Sequence, residues 1–176
     1  METQKKKIII LSCVVLAVIL SWRFGFSLVY QHDRDGSCTL TSEQESSIKA
    51  DTKGMNGREL YKYSIDLTSS ALSLKEKSDI LNGEANSIGY ALLCAEIFNY
   101  AAKANHINGK AKPVVGYVTF MGLNLCKLFK GIMRRQKWKN FFKDHDFVQF
   151  DIDGESFYAD ASSYDIIWND CKTRKK

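Results

Sequence analysis

Apolar positions along this chain follow three rhythms, and each predicts a different kind of element. From Ser87 onward, Ile88, Ala91, Leu92, Ala95, Phe98 and Ala102 recur at steps of three and four. That spacing is one face of a helix with period 3.6. It predicts a helix over 87–104, opened by Asn86 or Ser87 as its N-cap. Asn105 to Gly109 supply the Asn and Gly residues that suit its end. The second rhythm is an unbroken apolar run. Ile8 to Tyr30 is 23 residues with one charge, Arg23. A membrane-spanning helix needs about 20 residues. Lys5, Lys6 and Lys7 precede the run and few lysines follow it closely, which predicts a cytoplasmic N-terminus and a domain on the far side. Trp22 and Tyr30 suit interfacial positions. No small-x-small cleavage site follows Leu20, so an uncleaved anchor is favoured over a cleaved signal peptide.

The third rhythm is alternation. Val114 to Phe120 is rich in β-branched and aromatic residues and reads as a strand. His145 to Ile152 and Glu155 to Ala161 flank Asp153-Gly154, a strong hairpin signal. A two-residue turn there pairs Ile152 with Glu155 and Phe147 with Asp160. His145, Phe147, Gln149, Tyr158 and Asp160 then share one face. His145 becomes the diagonal neighbour of Asp160, about 7–8 Å away and within reach of an imidazole and a carboxylate.

Between these elements the pattern is weaker. Gln31 to Gly57 is polar and aperiodic and reads as a tether. Ser73-Leu74-Lys75-Glu76 has the form of a capping box and predicts a short helix to about Leu81. Within Leu123–Lys143, Leu125, Leu128, Phe129, Ile132 and Met133 fall at helical spacing. Lys127, Lys130, Arg134, Arg135, Lys137, Lys139 and Lys143 accompany them without an acid. This predicts an amphipathic basic helix, either packed with a solvated basic face or set against a membrane surface. The organisation expected is therefore an anchor over 1–30, a linker over 31–57 and one domain over 58–176 with a basic insert at 123–143.

Composition changes this picture little. The chain has 176 residues, 45% hydrophobic and 26% charged, which is globular and large enough for one real core. The net charge of +5 is modest and local, and no nucleic-acid motif accompanies it, so nucleic acid is not expected as a partner. Cys38 and Cys171 flank the domain and could pair in an oxidising compartment. Sequence alone does not establish that pairing.

The candidate chemistry lies at three places: a residue at a helix start, a histidine opening a strand, and an aspartate closing the next strand. Ser87 sits beside the unpaired amides and positive end of its helix, where nascent negative charge is stabilised. Capping alone also accounts for a serine there. Asp160 is placed to orient His145, the role a carboxylate plays beside a catalytic imidazole.

With Ala85-Asn86-Ser87-Ile88-Gly89-Tyr90-Ala91, His145 and Tyr158-Ala159-Asp160, the chain resembles the transglutaminase-like domain of the papain-like thiol hydrolase superfamily. The resemblance covers about 66–165. It implies an α+β fold, a papain/transglutaminase-like core with a central helix packed on a small antiparallel sheet, here preceded by one N-terminal transmembrane helix. In that family a cysteine is nucleophile, a histidine its base and an aspartate the orienter; the reactions are acyl transfer from amides or their hydrolysis. No metal or other cofactor is implied. The implied site is Ser87, His145 and Asp160, and Ser87 stands where the family carries cysteine. A thiol can be drawn into its thiolate form at a helix start, whereas a hydroxyl must lose its proton during attack. Cys94, seven residues on, is about 10 Å farther along the helix.

Three functions are consistent with this reading. The favoured one is a membrane-anchored transglutaminase-like domain, catalytically impaired, that binds a peptide or protein amide. The second is a working acyl-transfer enzyme or amide hydrolase using Ser87, His145 and Asp160. The third is a structural protein whose basic helix contacts the membrane or a partner; the membrane contacts expected are the N-terminal helix and the basic segment Lys127–Lys143. The expected location is a single-pass membrane protein with its domain extracytoplasmic.

Overall fold

The computed structural model describes residues 12–21, 25–74, 80, 83–125, 127 and 145–175. The fold is α+β. Its scaffold is an antiparallel sheet in the order β1 (Phe26–Asp33), β4 (Gly109–Phe120), β6 (His145–Ile152), β7 (Glu155–Ala159) and β8 (Thr173–Arg174). A short β5 (Leu123–Asn124) folds back on the end of β4. Helices α2 (Ser42–Asp51), α3 (Gly57–Ala71) and α4 (Ser87–Ala104) precede the central strands, and α5 (Ala161–Ile167) follows β7.

The central helix α4 packs on β4 and β6, with α3 behind it. Phe98 of α4 meets Phe150 of β6 with ring centroids 5.2 Å apart. Phe150 also meets Tyr61 of α3 edge-on at 5.1 Å. Leu60, Ile65, Cys94, Ile97, Val148 and Ile152 fill the same core. A smaller apolar cluster of Leu28, Val114, Phe147, Tyr158 and Cys171 covers the sheet's other face. The central strands are thus buried on both sides, which explains why neither face of β6 is polar throughout.

The β6–β7 hairpin has the register its turn dictates. Ile152 pairs with Glu155, Phe150 with Phe157 and Val148 with Ala159. Asp153 and Gly154 both have positive φ, 49° and 84°. A two-residue turn of this kind matches the twist of its strands and favours an Asp-Gly sequence.

Several expectations are corrected. No helix among the described residues is long and apolar enough to cross a membrane. Residues 12–21 are helical (α1), but Phe26 to Tyr30, the end of the apolar run, belong to β1 and pair with Phe120 to Gly116. The last five residues of the run therefore satisfy their backbone by joining the sheet, and among the described residues the expected N-terminal transmembrane helix is not formed. The single-pass membrane location, cytoplasmic N-terminus and extracytoplasmic domain built on it fall with it. The polar stretch 31–57 holds the end of β1 and helix α2, which opens with a capping box between Thr41 and Gln44. Ser73 and Leu74 form a strand, β2, parallel to β3 (Glu84–Ala85), rather than opening a helix. Cys38 and Cys171 are both free thiols. Cys38 packs against the helix-side core and Cys171 lies in the opposite cluster. Most of the basic segment, 128–144, lies outside the described residues.

Gly116 is the β4 partner of His145. A Cβ there would collide with the Val29 carbonyl oxygen of β1 and come within 2.9 Å of the Phe147 ring. Crowding of this kind typically costs about 1–3 kcal/mol. Gly116→Ala is expected to destabilise the fold by that amount in chemical denaturation, whereas alanine at the open Gly122 turn should lose less, and by backbone strain alone.

Candidate functional site

Helix α4 starts in a way that leaves its first residue without a capping duty. The N-cap is Asn86, whose Oδ1 accepts from the amides of Ile88 at 3.1 Å and Gly89 at 3.2 Å. Ser87 is therefore the first helical residue, half-buried, at the positive end of an 18-residue helix. Capping, the ordinary reason for a serine at this place, belongs to its neighbour.

Its level in the fold follows from the Phe98–Phe150 contact. Eleven residues of helix back to Ser87 span about 16 Å. Five residues of strand back to His145 also span about 16 Å. Both steps run toward the same end of the sheet, because α4 leads into β4, whose first residue, Gly109, pairs with Ile152 at the other end of β6. A side-chain contact supports this placement. Tyr90, one turn after Ser87, has its hydroxyl 2.9 Å from two acceptors that share its one proton, the Asp165 carboxylate of α5 and the Leu72 carbonyl.

At that end His145 and Asp160 meet. His145 Nε2 lies 2.5 Å from Asp160 Oδ2, with the imidazole 13% exposed and the carboxylate 1% exposed. Asp160 is also the N-cap of α5. Its Oδ1 accepts from the Ser162 amide at 2.9 Å and the Ser162 hydroxyl at 2.7 Å, and the Ser163 hydroxyl donates to Oδ2. Its own amide donates to the Asp170 carbonyl at 2.8 Å. The carboxylate is thus held by four side-chain and backbone donors, His145 included. With Nε2 committed to Asp160, the other ring nitrogen, Nδ1, is the one left to exchange a proton.

By strand alternation His145 leans to the face of Phe147 and Tyr158, opposite to α4. The pair nevertheless sits at the sheet's end, between the two layers. The charge of Asp160 acts on Tyr90 and Cys94 of α4 and also on Cys171 of the opposite cluster.

The electrostatics favour an ion pair. Burial pushes the His145 pKa down, but the charge and hydrogen bond of Asp160, with Asp146 behind, more than reverse this and hold it above 6.5. Burial likewise pushes Asp160 up. The His145 charge and hydrogen bond, with the Ser163 and Ser162 hydroxyls, hold it below 3.8. Cys94 is no substitute nucleophile. It is fully buried, and burial pushes its thiol up to about 12 despite hydrogen bonds with Ser64 and Thr68.

No protein-family model, curated protein or solved structure matches this chain. Among the described residues, no group of three or more His, Cys, Asp or Glu side chains is placed to hold a metal ion.

The structure brings His145 and Asp160 into direct contact and places Ser87 at the same level of the fold. Sequence reasoning missed the Ser162 and Ser163 hydroxyls. The run Asp160-Ala161-Ser162-Ser163 does carry a signal, an aspartate N-cap followed by two hydroxyls in the first turn. It also missed Asp146 and its partner Arg34, which is 112 residues away in the chain and carries no local signal.

The pair makes stability depend on pH in two directions. Its histidine half is fully present below 6.5 and is lost as pH rises through the raised folded value. Its aspartate half is present above 3.8 and is lost as pH falls through the lowered folded value. Asp160→Ala strands a buried imidazolium and removes the α5 cap, and such a break costs about 3–5 kcal/mol. Denaturation across the pH range should show the deficit largest between these two reference values and shrinking on either side.

Proposed function

We propose that this chain is a transglutaminase-like domain of the papain-like thiol hydrolase superfamily, with Ser87 in the place of the nucleophilic cysteine. On this reading it binds a peptide or protein amide at the α4 start and turns it over poorly. The observation that carries the reading is the His145 Nε2–Asp160 Oδ2 contact of 2.5 Å at the end of the sheet toward which α4 begins. Chain order supports it as well: a helix start, a histidine opening a strand and an aspartate closing the next one.

The electrostatics explain why turnover is poor. A raised histidine pKa favours the imidazolium. An imidazolium beside a helix N-terminus stabilises a thiolate, the reactive form of cysteine. A serine needs the opposite, a neutral imidazole that removes its proton during attack. The site is therefore suited to sulfur and poorly matched to oxygen near neutral pH. A shift of about 1 Å between the reacting atoms can add about a hundredfold.

A second reading rests on the same contact. Because Asp160 still holds Nε2, a neutral His145 is oriented to act as a base, and Ser87 becomes a slow nucleophile whose rate rises as the imidazole loses its proton. A serine-directed phosphonate probe tests it. Labelling that requires both Ser87 and His145 and grows with pH supports slow catalysis, and absence of labelling leaves binding alone.

The main test is Ser87→Cys. Its thiol should be alkylated rapidly below neutral pH, and adding His145→Ala should cut that rate by about tenfold or more. Amide turnover with a glutamine-containing peptide and an amine acceptor should exceed that of the serine protein by about a hundredfold. An ordinary thiol that titrates near 8.5, indifferent to His145, contradicts the proposal.

A further inference from the structure

Next to the His145–Asp160 contact lies a second buried ion pair with no counterpart in the site described above. Asp146 follows His145 in β6 and is 3% exposed. Arg34, in the segment that leaves β1, grips it with two hydrogen bonds, Nε to Oδ1 at 2.5 Å and Nη2 to Oδ2 at 3.1 Å. Adjacent strand residues point to opposite faces, so Asp146 faces the layer of α4 while His145 leans the other way. The Arg34 segment is fixed at both sides of the grip. The Arg34 amide donates to the Pro113 carbonyl of β4 at 3.2 Å. Two residues on, Gly36 lies against Leu92 of α4. One bidentate contact thereby ties the β1 exit, the start of β6 and the α4 layer together one residue from the imidazole.

An isolated buried carboxylate is costly, and a bidentate guanidinium is the group best shaped to compensate it. The pair leaves Arg34 27% exposed and Asp146 almost fully enclosed. Packing alone does not require a charge at this position, since Val148 and Phe150 continue the same face with apolar side chains.

We propose that the Arg34–Asp146 ion pair sets the charge felt by His145 from one residue away: Asp146 supports the proton on the ring, and Arg34, held on Asp146 by two hydrogen bonds, balances that acidic charge. The proposal deepens the reading of His145 as the site's base. It places the control of that base in the segment leaving β1, outside the helix-start, histidine and aspartate motifs. The charges that act on His145 are Asp160 from the β7–α5 junction, in direct contact, and Asp146 from the next position of its own strand, with Arg34 bonded to Asp146. The Tyr90 and Cys94 side chains of α4 and the Cys171 thiol of the opposite cluster stand neutral around Asp160.

The test is the titration of the His145 ring, followed by NMR in the full-length protein, in Asp146→Asn and in the double variant Asp146→Asn/Arg34→Leu. Asp146→Asn removes the supporting negative charge and leaves a guanidinium uncompensated, so His145 should titrate at lower pH than in the wild type. The double variant removes both charges and should return the titration toward the wild-type value. If Arg34 and Asp146 serve only as a structural tie, the double variant will be displaced as far as Asp146→Asn or farther. That outcome, or an unmoved titration in both variants, overturns the proposal. Arg34→Lys supplies a check that keeps the fold intact: it retains the compensating charge, and the proposal requires a titration close to wild type. The ring titration is read without any amide substrate, so it stands or falls separately from the transglutaminase-like reading, whose own failure would be seen in the Ser87→Cys thiol.

Discussion

A buried imidazole cannot keep a charge unless a carboxylate lies against it, and a buried carboxylate cannot stay ionised unless its oxygens are filled with donors. The contact between His145 and Asp160 meets both conditions, and much of the surrounding structure can be understood as what it requires. The Asp153-Gly154 turn sets the register that puts the two residues at neighbouring strand ends. The start of α5 supplies the Ser162 amide and the two serine hydroxyls. The returning C-terminal segment accepts the Asp160 amide through Asp170. Loss of any of these would leave a charge in the interior with fewer partners than its burial demands.

The hairpin was legible in the sequence because its signal is local and its turn chemistry is strict. Asp-Gly at the centre of two alternating runs leaves one favourable register, and that register alone brings His145 toward Asp160. Helix α4 was legible for a similar reason: eighteen residues of 3.6-residue periodicity bounded by Asn86 and Asn105. The N-terminal run misled because apolar content does not distinguish a lipid-facing helix from an edge strand that packs one face on a sheet's apolar cluster. Phe26, Leu28 and Val118 pack in the small cluster on one sheet face, so the same side chains that suit a bilayer suit this sheet. Ser73 misled for a different reason. Its capping-box pattern is genuine, but pairing with Glu84 supplies the backbone partners a helix would have provided. Arg34 and Asp146 were invisible because an ion pair between distant segments leaves no trace in either one.

On the proposed reading, position 87 carries oxygen where the electrostatics of the His145–Asp160 pair would suit sulfur. Asp160, which holds one ring nitrogen, and Asp146 favour the charged imidazole, while the helix terminus at Ser87 favours an anion at position 87. A charged imidazole serves a thiolate and handicaps a hydroxyl.

The account rests on Ser87 and His145 facing one another across the end of the sheet. A crystal structure that locates the Ser87 Oγ and the His145 Nδ1 tests this most directly. The account predicts the two atoms within about 4 Å, or bridged by one water, with the ring plane held by Asp160. Separation by about 7 Å or more, with the hydroxyl and the ring opening onto different faces of the sheet, would contradict it.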